Sequence, residues 1–334
     1  MDGREHHLFI LVSAILPLVG VVAAVVLLWN EAVGWSDLVA FAIMYVVAGL
    51  GVSTGYHRLL AHRAFKTYRP IALAFATAGA MAGQGPPLIW TAHHRRHHRV
   101  ADKPGDPHSP YGDLEPGIKG ALKGLWHAHM GWLFNRNLHS DPMRHCPDLA
   151  RDRGMRIISR HFLWFVAAGI VLPGLIGWAL SGEFVMGFLT GMLWGGLVRF
   201  FVSNHITYAV NSVGHYFGSR RFATADESRN VFWLALPSFG EAWHNNHHAF
   251  PRSYRHGLKW YELDISALIV LTLEKLHLAW DVMRIDPERM RLKAEGMART
   301  GGGRLAEAEE RAPLADRMSP RKSDLASVGV TDVE

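Results

Sequence analysis

Histidine carries most of the chemical capacity of this sequence. The chain has 21 histidines in 334 residues, and nine of them recur at ligand-like spacing. "HRLLAH" holds His57 and His62, "HRRHH" holds His94, His97 and His98, "NSVGH" holds His215, and "HNNHH" holds His244, His247 and His248. Positions i, i+3 and i+4 share one face of a helix, so "HRRHH" and "HNNHH" are each expected to aim three imidazoles at a common point. His57 and His62 are five residues apart, about 140° around an α-helix, which predicts that their helix ends or bends between them. Asn211 stands four residues before His215 and shares its face.

A single metal takes about three or four protein ligands, so nine imidazoles point to two metals. Neutral imidazole suits zinc, copper, iron or nickel, and affinity alone does not select among them. Zinc is sufficient for hydrolysis, whereas an unactivated hydrocarbon calls for a redox metal, and iron fits best if the substrate is lipid. Ligating imidazoles usually donate their outer N–H to a carboxylate; Asp106 in "GDPH" and Glu241 in "GEAWH" are the nearest candidates.

The other histidines carry weaker signals. His6, His7, His139, His145, His256 and His277 are isolated or terminal and are expected on the surface. His127 and His129 lie on different helix faces and are expected to be structural, His93 is a neighbour of its cluster rather than a ligand, and His205 is unassigned. Glu274 with His277 makes one Glu-x-x-His pair, where a carboxylate di-iron bundle uses two. The single cysteine, Cys146, excludes internal disulfides and argues against thiolate or iron–sulfur sites.

Apolar residues gather into uncharged runs at 8–29, 38–56, 70–92, 162–182 and 184–198, the last continuing past Arg199 to about 208. About 20 such residues cross a bilayer core as a helix, so the chain is expected to be an all-α integral membrane protein. The connections near 30–37 and 181–183 contain acids but no Lys or Arg, whereas 63–160 and the chain after 208 are rich in both. By the positive-inside rule, the histidine clusters and both termini are cytoplasmic. This predicts four crossings in two hairpins, at about 8–29, 38–56, 162–182 and 184–208.

The Gly- and Ala-rich run at 70–92 would reverse that topology by crossing, and is expected to be a buried or interfacial helix. Residues 263–280 read as an amphipathic helix on the membrane surface, and Arg199 is expected to point inward or snorkel. Residues 1–298 form one domain; 299–334, Gly-rich and then charged, read as a disordered cytosolic tail.

The order "HRLLAH", "HRRHH" followed by "GDPH", "NSVGH" and "GEAWHNNHHAFP" resembles the membrane-bound fatty acyl desaturases, above all the bacterial acyl-CoA type acting at the ninth carbon, over about 56–261. The resemblance implies a cytosolic helical cap holding a non-haem di-iron site in a bacterial cell membrane. It also implies an oxidoreductase that removes two hydrogens from a saturated acyl chain while O2 is reduced to water. It carries the iron-ligand role to His57, His62, His94, His97, His98, His215, His244, His247 and His248, with Asn211 holding one iron through a water. In the headgroup region, the Arg-Lys pair of eukaryotic relatives becomes Arg136 followed by Asn137, and Gly85, Ala92 and His93 replace polar residues. CoA, a carrier protein and a lipid headgroup thus all stand as possible handles for the acyl chain.

Breaking an unactivated C–H bond is beyond side-chain acid–base chemistry, so the metal supplies the oxidant and the chain supplies position. Trp90 and Trp132 are candidates for lining an acyl tunnel, and Arg136 for meeting the headgroup. The sequence has no dinucleotide fingerprint, Cys quartet or haem motif, so a separate ferredoxin or small cytochrome, with its reductase, is expected to deliver electrons. The net charge of +6 suits an acidic donor, anionic lipid or acyl-CoA phosphates; no nucleic-acid partner is expected. The alternative function is a membrane fatty acid hydroxylase or alkane monooxygenase, which shares the first hydrogen abstraction. A metal transporter would need polar crossings, and these runs are apolar.

Overall fold

A chain segment in hydrocarbon must satisfy its own N–H and C=O groups, which is why the long uncharged runs fold as helices. The computed structural model describes residues 7–8, 10–28, 33–111, 117–135 and 140–300. In chain order the helices that bear on function are α1 (Leu11–Val26), α2 (Trp35–Ala61), α3 (Arg69–Ala80), α4 (Pro87–Val100), α5 (Ile118–His129), α6 (Phe162–Ser181), α7 (Phe184–Tyr216), α8 (His244–Ala249), α9 (Ile265–Lys275) and α10 (Pro287–Thr300). Three of them, α2, α6 and α7, are long and apolar enough to cross a membrane. Within the run expected to cross at 8–29, α1 continues as helix to Leu28, and residues 9 and 29–32 on either side lie outside the described residues. The tail from 301 lies outside them as well.

Large apolar side chains on these helices are exposed, among them Leu18, Val22, Val46, Leu172, Val185 and Leu189. Inside, α6 and α7 pack along their length through small residues: a Cβ on Gly177 would stand 2.3 Å from the Gly187 carbonyl oxygen. Gly182, at φ +75°, closes α6 in the left-handed conformation and turns the chain directly into α7.

Length decides where the chemistry sits. At about 1.5 Å per residue, His57 lies roughly 30 Å along α2 and His215 roughly 45 Å along α7 from their starts. Both helices start next to the acid-bearing short loops and carry their histidines at the far end, a length comparable to the roughly 30 Å of a bilayer core.

The run at 70–92, expected as one helix, is two. Gly83 and Gly85 have φ of +72° and +113°, and Pro86 and Pro87 follow; Pro cannot continue the preceding hydrogen-bond ladder but begins α4 without loss. The break turns α4 so that its histidines face α2. Arg199, fully buried, ties this break to the crossing helices by donating to the carbonyls of Met81, Gly169 and Gly195 at 3.1, 2.7 and 3.1 Å.

The amphipathic helix expected over 263–280 is also shorter. It ends as α9, because His277 and Asp281 take left-handed backbone conformations, and Ala279–Trp280 instead pairs antiparallel with Lys66–Thr67. That pairing holds the chain after α9 against the residues that follow the first histidine cluster.

Candidate metal centre

The last turns of α2, over Gly51–Ala61, are wound as a π-helix, and the His62 N–H donates to the His57 carbonyl at 3.0 Å. The helix thus ends between the two histidines, at Ala61, as the spacing predicted, but it does so on a π turn with His62 as its cap. A π turn closes on residue i+5, so a spacing that diverges on an α-helix brings both imidazoles to one face. The widened turns also lie tight on α3: a Cβ on Gly51 would stand 2.2 Å from the Gly79 nitrogen.

Ring nitrogens from four segments converge in two groups. His57, His62, His94, His98 and His247 form one; His97, His215, His244 and His248 form the other, with the ligand atoms in each group within 4.8 Å of one another. The clusters "HRRHH" and "HNNHH" do not each serve a single point, as the spacing suggested. His94 and His98 join the first group while His97 joins the second, and His244 and His248 join the second while His247 joins the first. Adjacent helical residues diverge by about 100°, so neighbours such as His97 and His98 cannot reach one ion and instead straddle two.

Behind the rings stand carboxylates. His97 Nδ1 faces both oxygens of Asp106 at 2.9 Å, His215 Nδ1 lies 2.8 Å from Asp102, His248 Nδ1 lies 2.9 Å from Asp226, and His57 Nδ1 pairs with Glu241. Burial works against charge on Asp106, yet His97 beside it and donors including the Asp102 N–H hold its carboxyl well below the usual carboxylate range. The same opposition, with His248 foremost among the favourable partners, leaves Asp226 well below that range. Burial, then the neighbouring His57, pushes His94 well below the ordinary imidazole range, so it is a neutral potential ligand near pH 7. Burial does the same to His98, His244 and His247.

These contacts test whether the residues fit a metal. His97 and His248 both donate Nδ1–H to a carboxylate, so both Nε2 atoms carry bare lone pairs, and they face each other at 3.4 Å. Nε2 atoms also meet at 2.7 Å (His62 and His94), 2.9 Å (His98 and His247; His215 and His244) and 3.1 Å (His57 and His247). The facing lone pairs of His97 and His248 repel unless a cation lies between them, the other close Nε2 pairs turn the same nitrogens towards common points, and imidazole nitrogen is a donor for borderline transition metals. The residues fit two metal ions.

Two cavities meet beside the groups and share Gln84, Trp90, His94, Thr207 and Asn211. The first runs between α2 and α7 past Val52, Ile206 and Val210 towards Tyr45 and Phe239; the second is walled by Ile89, His93, Trp132 and Tyr208. Trp90 stacks on His94 with ring centroids 5.1 Å apart. Asn211, half-buried, lies where the cavities join. Arg136 lies outside the described residues.

Sequence reasoning missed four residues here. His256, expected on the surface, is 1% exposed and packs 4.3 Å from the His247 ring; it follows α8 in a turn whose N–H groups Asp264 accepts, and the fold draws it in. His108 packs against His97 with ring centroids 4.5 Å apart, and its place two residues after Asp106 was the available signal. Asp102 and Asp226 carried none: each is an ordinary loop acid in sequence. Of the remaining histidines, His129 bonds His205 and Ser212 at 2.8 and 3.0 Å, and Glu274 pairs with Arg284 instead of His277.

The family model for "Fatty acid desaturase" matches residues 34–272. Among curated relatives, a hex-5-enoyl-[acyl-carrier protein] acetylenase of Moorena producens (strain JHB) is 42% identical over 283 residues, 84% of this chain and 87% of that protein. An sn-1 stearoyl-lipid 9-desaturase of Anabaena variabilis is 36% identical over 253 residues, 75% of this chain and 85% of that one. Delta-9 acyl-lipid desaturase 1 of Arabidopsis thaliana is 38% identical over 251 residues, 74% and 75% of the two chains.

Proposed function

The chain belongs to the fatty acid desaturase family, and from that premise we propose that it inserts a cis double bond into a saturated acyl chain at a centre of two irons, using O2 and external electrons. The observation that carries this reading is the convergence of nine imidazoles in two adjacent groups beside the junction of two cavities. Bound there, iron would supply the redox chemistry with O2 that an unactivated C–H bond requires.

The chain's own residues bind and position. The nine histidines are the proposed ligands, and Asn211, on the same helix face as His215, is proposed to hold one iron through a water. Asp102, Asp106, Asp226 and Glu241 accept the outer N–H of four of these rings and fix which nitrogen faces inward. Trp90 and the apolar residues around it are proposed to hold the acyl chain with two adjacent carbons at the centre and to keep bulk water away. Trp132 lines the other cavity, and it and Arg136 are proposed to act on the headgroup end of the substrate.

The four-crossing topology, with α1 as the first crossing and both termini and the centre on the cytoplasmic side of a bacterial membrane, belongs to this proposal, as does a docked ferredoxin or small cytochrome. So do the ninth carbon and the acyl handle. The resemblance read from the sequence favoured acyl-CoA, but relatives are named for lipid-linked and carrier-protein-linked chains, and Asn137 follows Arg136 where a second cation would meet CoA phosphates. We therefore favour a lipid-linked chain. The relative named as an acetylenase supports a second reading, in which the substrate already carries a double bond.

Expression in a host without an oxygen-dependent desaturase tests the proposal. New cis-monounsaturated chains in the total fatty acids, appearing first in membrane lipid, are expected. A hydroxylated product without a new double bond moves the assignment to the hydroxylases, and a new triple bond to the second reading.

A further inference from the structure

The two histidine groups differ in the charge that stands behind them. In the four-histidine group, three of the four rings have a carboxylate at Nδ1: His97 with Asp106, His215 with Asp102, and His248 with Asp226. None of these acids pairs with an Arg or Lys among the described residues. Asp102 also accepts from the Ser109 hydroxyl and the Glu227 N–H, Asp106 from the Asp102 and His108 N–H groups, and Asp226 from the Ser228 N–H. In the five-histidine group one ring alone, His57, meets a carboxylate among the described residues. That carboxylate, Glu241, is compensated by the fully buried Arg58, which also pairs with Asp264. Among the described residues the buried Nδ1 of His247 has no hydrogen-bond partner, and the same holds for His244, the fourth ring of the other group.

We infer that the four-histidine group takes its ferrous ion first and more tightly, and that Asp102 and Asp226 are positioning residues that set this order. The inference rests on the two-iron reading above. A carboxylate behind an imidazole holds the tautomer that leaves Nε2 free and raises its basicity. Three uncompensated negative charges one ring away from the ion also attract it directly, and in a water-poor interior that attraction is weakly screened. The extra ring of the five-histidine group acts the other way, but it is a neutral dipole against whole charges. Asp102 and Asp226 matter for a second reason: Asp102 accepts the Glu227 N–H at 2.8 Å, so the loop that presents Asp226 to His248 is anchored by the acid that orients His215.

The test is an anaerobic titration of the metal-free protein in detergent with ferrous ion, against a chelating competitor. Two steps are expected; His244→Ala removes the tighter and His94→Ala the weaker. Asp102→Asn and Asp226→Asn each weaken the tighter step about 10- to 100-fold while moving the weaker by less than about threefold, and Glu241→Gln leaves the tighter step in place. Asp226→Glu, which restores the charge, returns the tight step. Entry of both ions in one step, loss of the tighter step in His94→Ala, equal weakening of both steps in the Asn variants, or an Asp226→Glu as weak as Asp226→Asn would each overturn the inference. A wild-type protein that takes no ferrous ion removes the two-iron reading itself, an outcome distinct from two steps of equal or reversed strength.

Discussion

A histidine whose Nδ1–H is held by a carboxylate has one lone pair left to offer, and its direction is fixed before any metal arrives. His97, His215 and His248 are in that condition. Asn211 is different: an amide is a weak donor, and the residue stands at the junction of the cavities. Asn211→Ala is therefore expected to keep most of the metal and lose most of the turnover, whereas His247→Ala loses both; metal analysis beside product yield separates them. Wild-type turnover in Asn211→Ala would remove this residue from the site. At this scale the sequence was legible in part. Spacing picked out the nine rings of the two groups, the i, i+3, i+4 relation accounting for the six of "HRRHH" and "HNNHH". Spacing could not divide them between two groups, since which side of the seam His97 or His98 faces depends on where α2, α7 and α8 come to lie. Asp226 is invisible for the same reason: 22 residues separate it from His248, and only the folded loop joins them.

Among the elements, the apolar runs announced the long helices and the Gly-Pro signals lay in plain view, yet the break at 81–86 and the π winding of 51–61 were not foreseen. A five-residue spacing is ambiguous in one dimension; it means a bend on an α-helix and one turn on a π-helix. What selects the wide turns is packing on α3, with Gly51 and Gly55 letting the backbones approach. Gly51→Ala places a methyl against backbone atoms of Ala78 and Gly79, an overpacking expected to cost about 1–3 kcal/mol and to lower iron retention, read as a reduced melting temperature and metal content in detergent. Arg199→Met tests the tie across the break. It removes a donor from three carbonyls, at about 1–3 kcal/mol for each left with no other. A melting temperature unchanged by this substitution would show that the tie is not needed.

For the whole molecule, two long helices that start beside acid-bearing loops and end in histidines fix a single chemical face. Cysteine labels at Trp35 and Ser181, both exposed, are expected to react from outside the cell, and labels at Arg151 and Lys259, also exposed, only from inside. The native Cys146 is buried and gives little background. The reverse pattern would invert the topology and move the electron donor to the other side. What unites the molecule is a centre that no single segment can build: α2, α4, α7 and α8 each contribute rings to it. The most direct measurement of that claim is the metal content of purified protein made with iron available, with Mössbauer spectra after 57Fe enrichment to identify the sites. Two irons per chain in two distinct nitrogen-rich environments are expected. One metal per chain, or zinc that iron does not replace in an active sample, would contradict it.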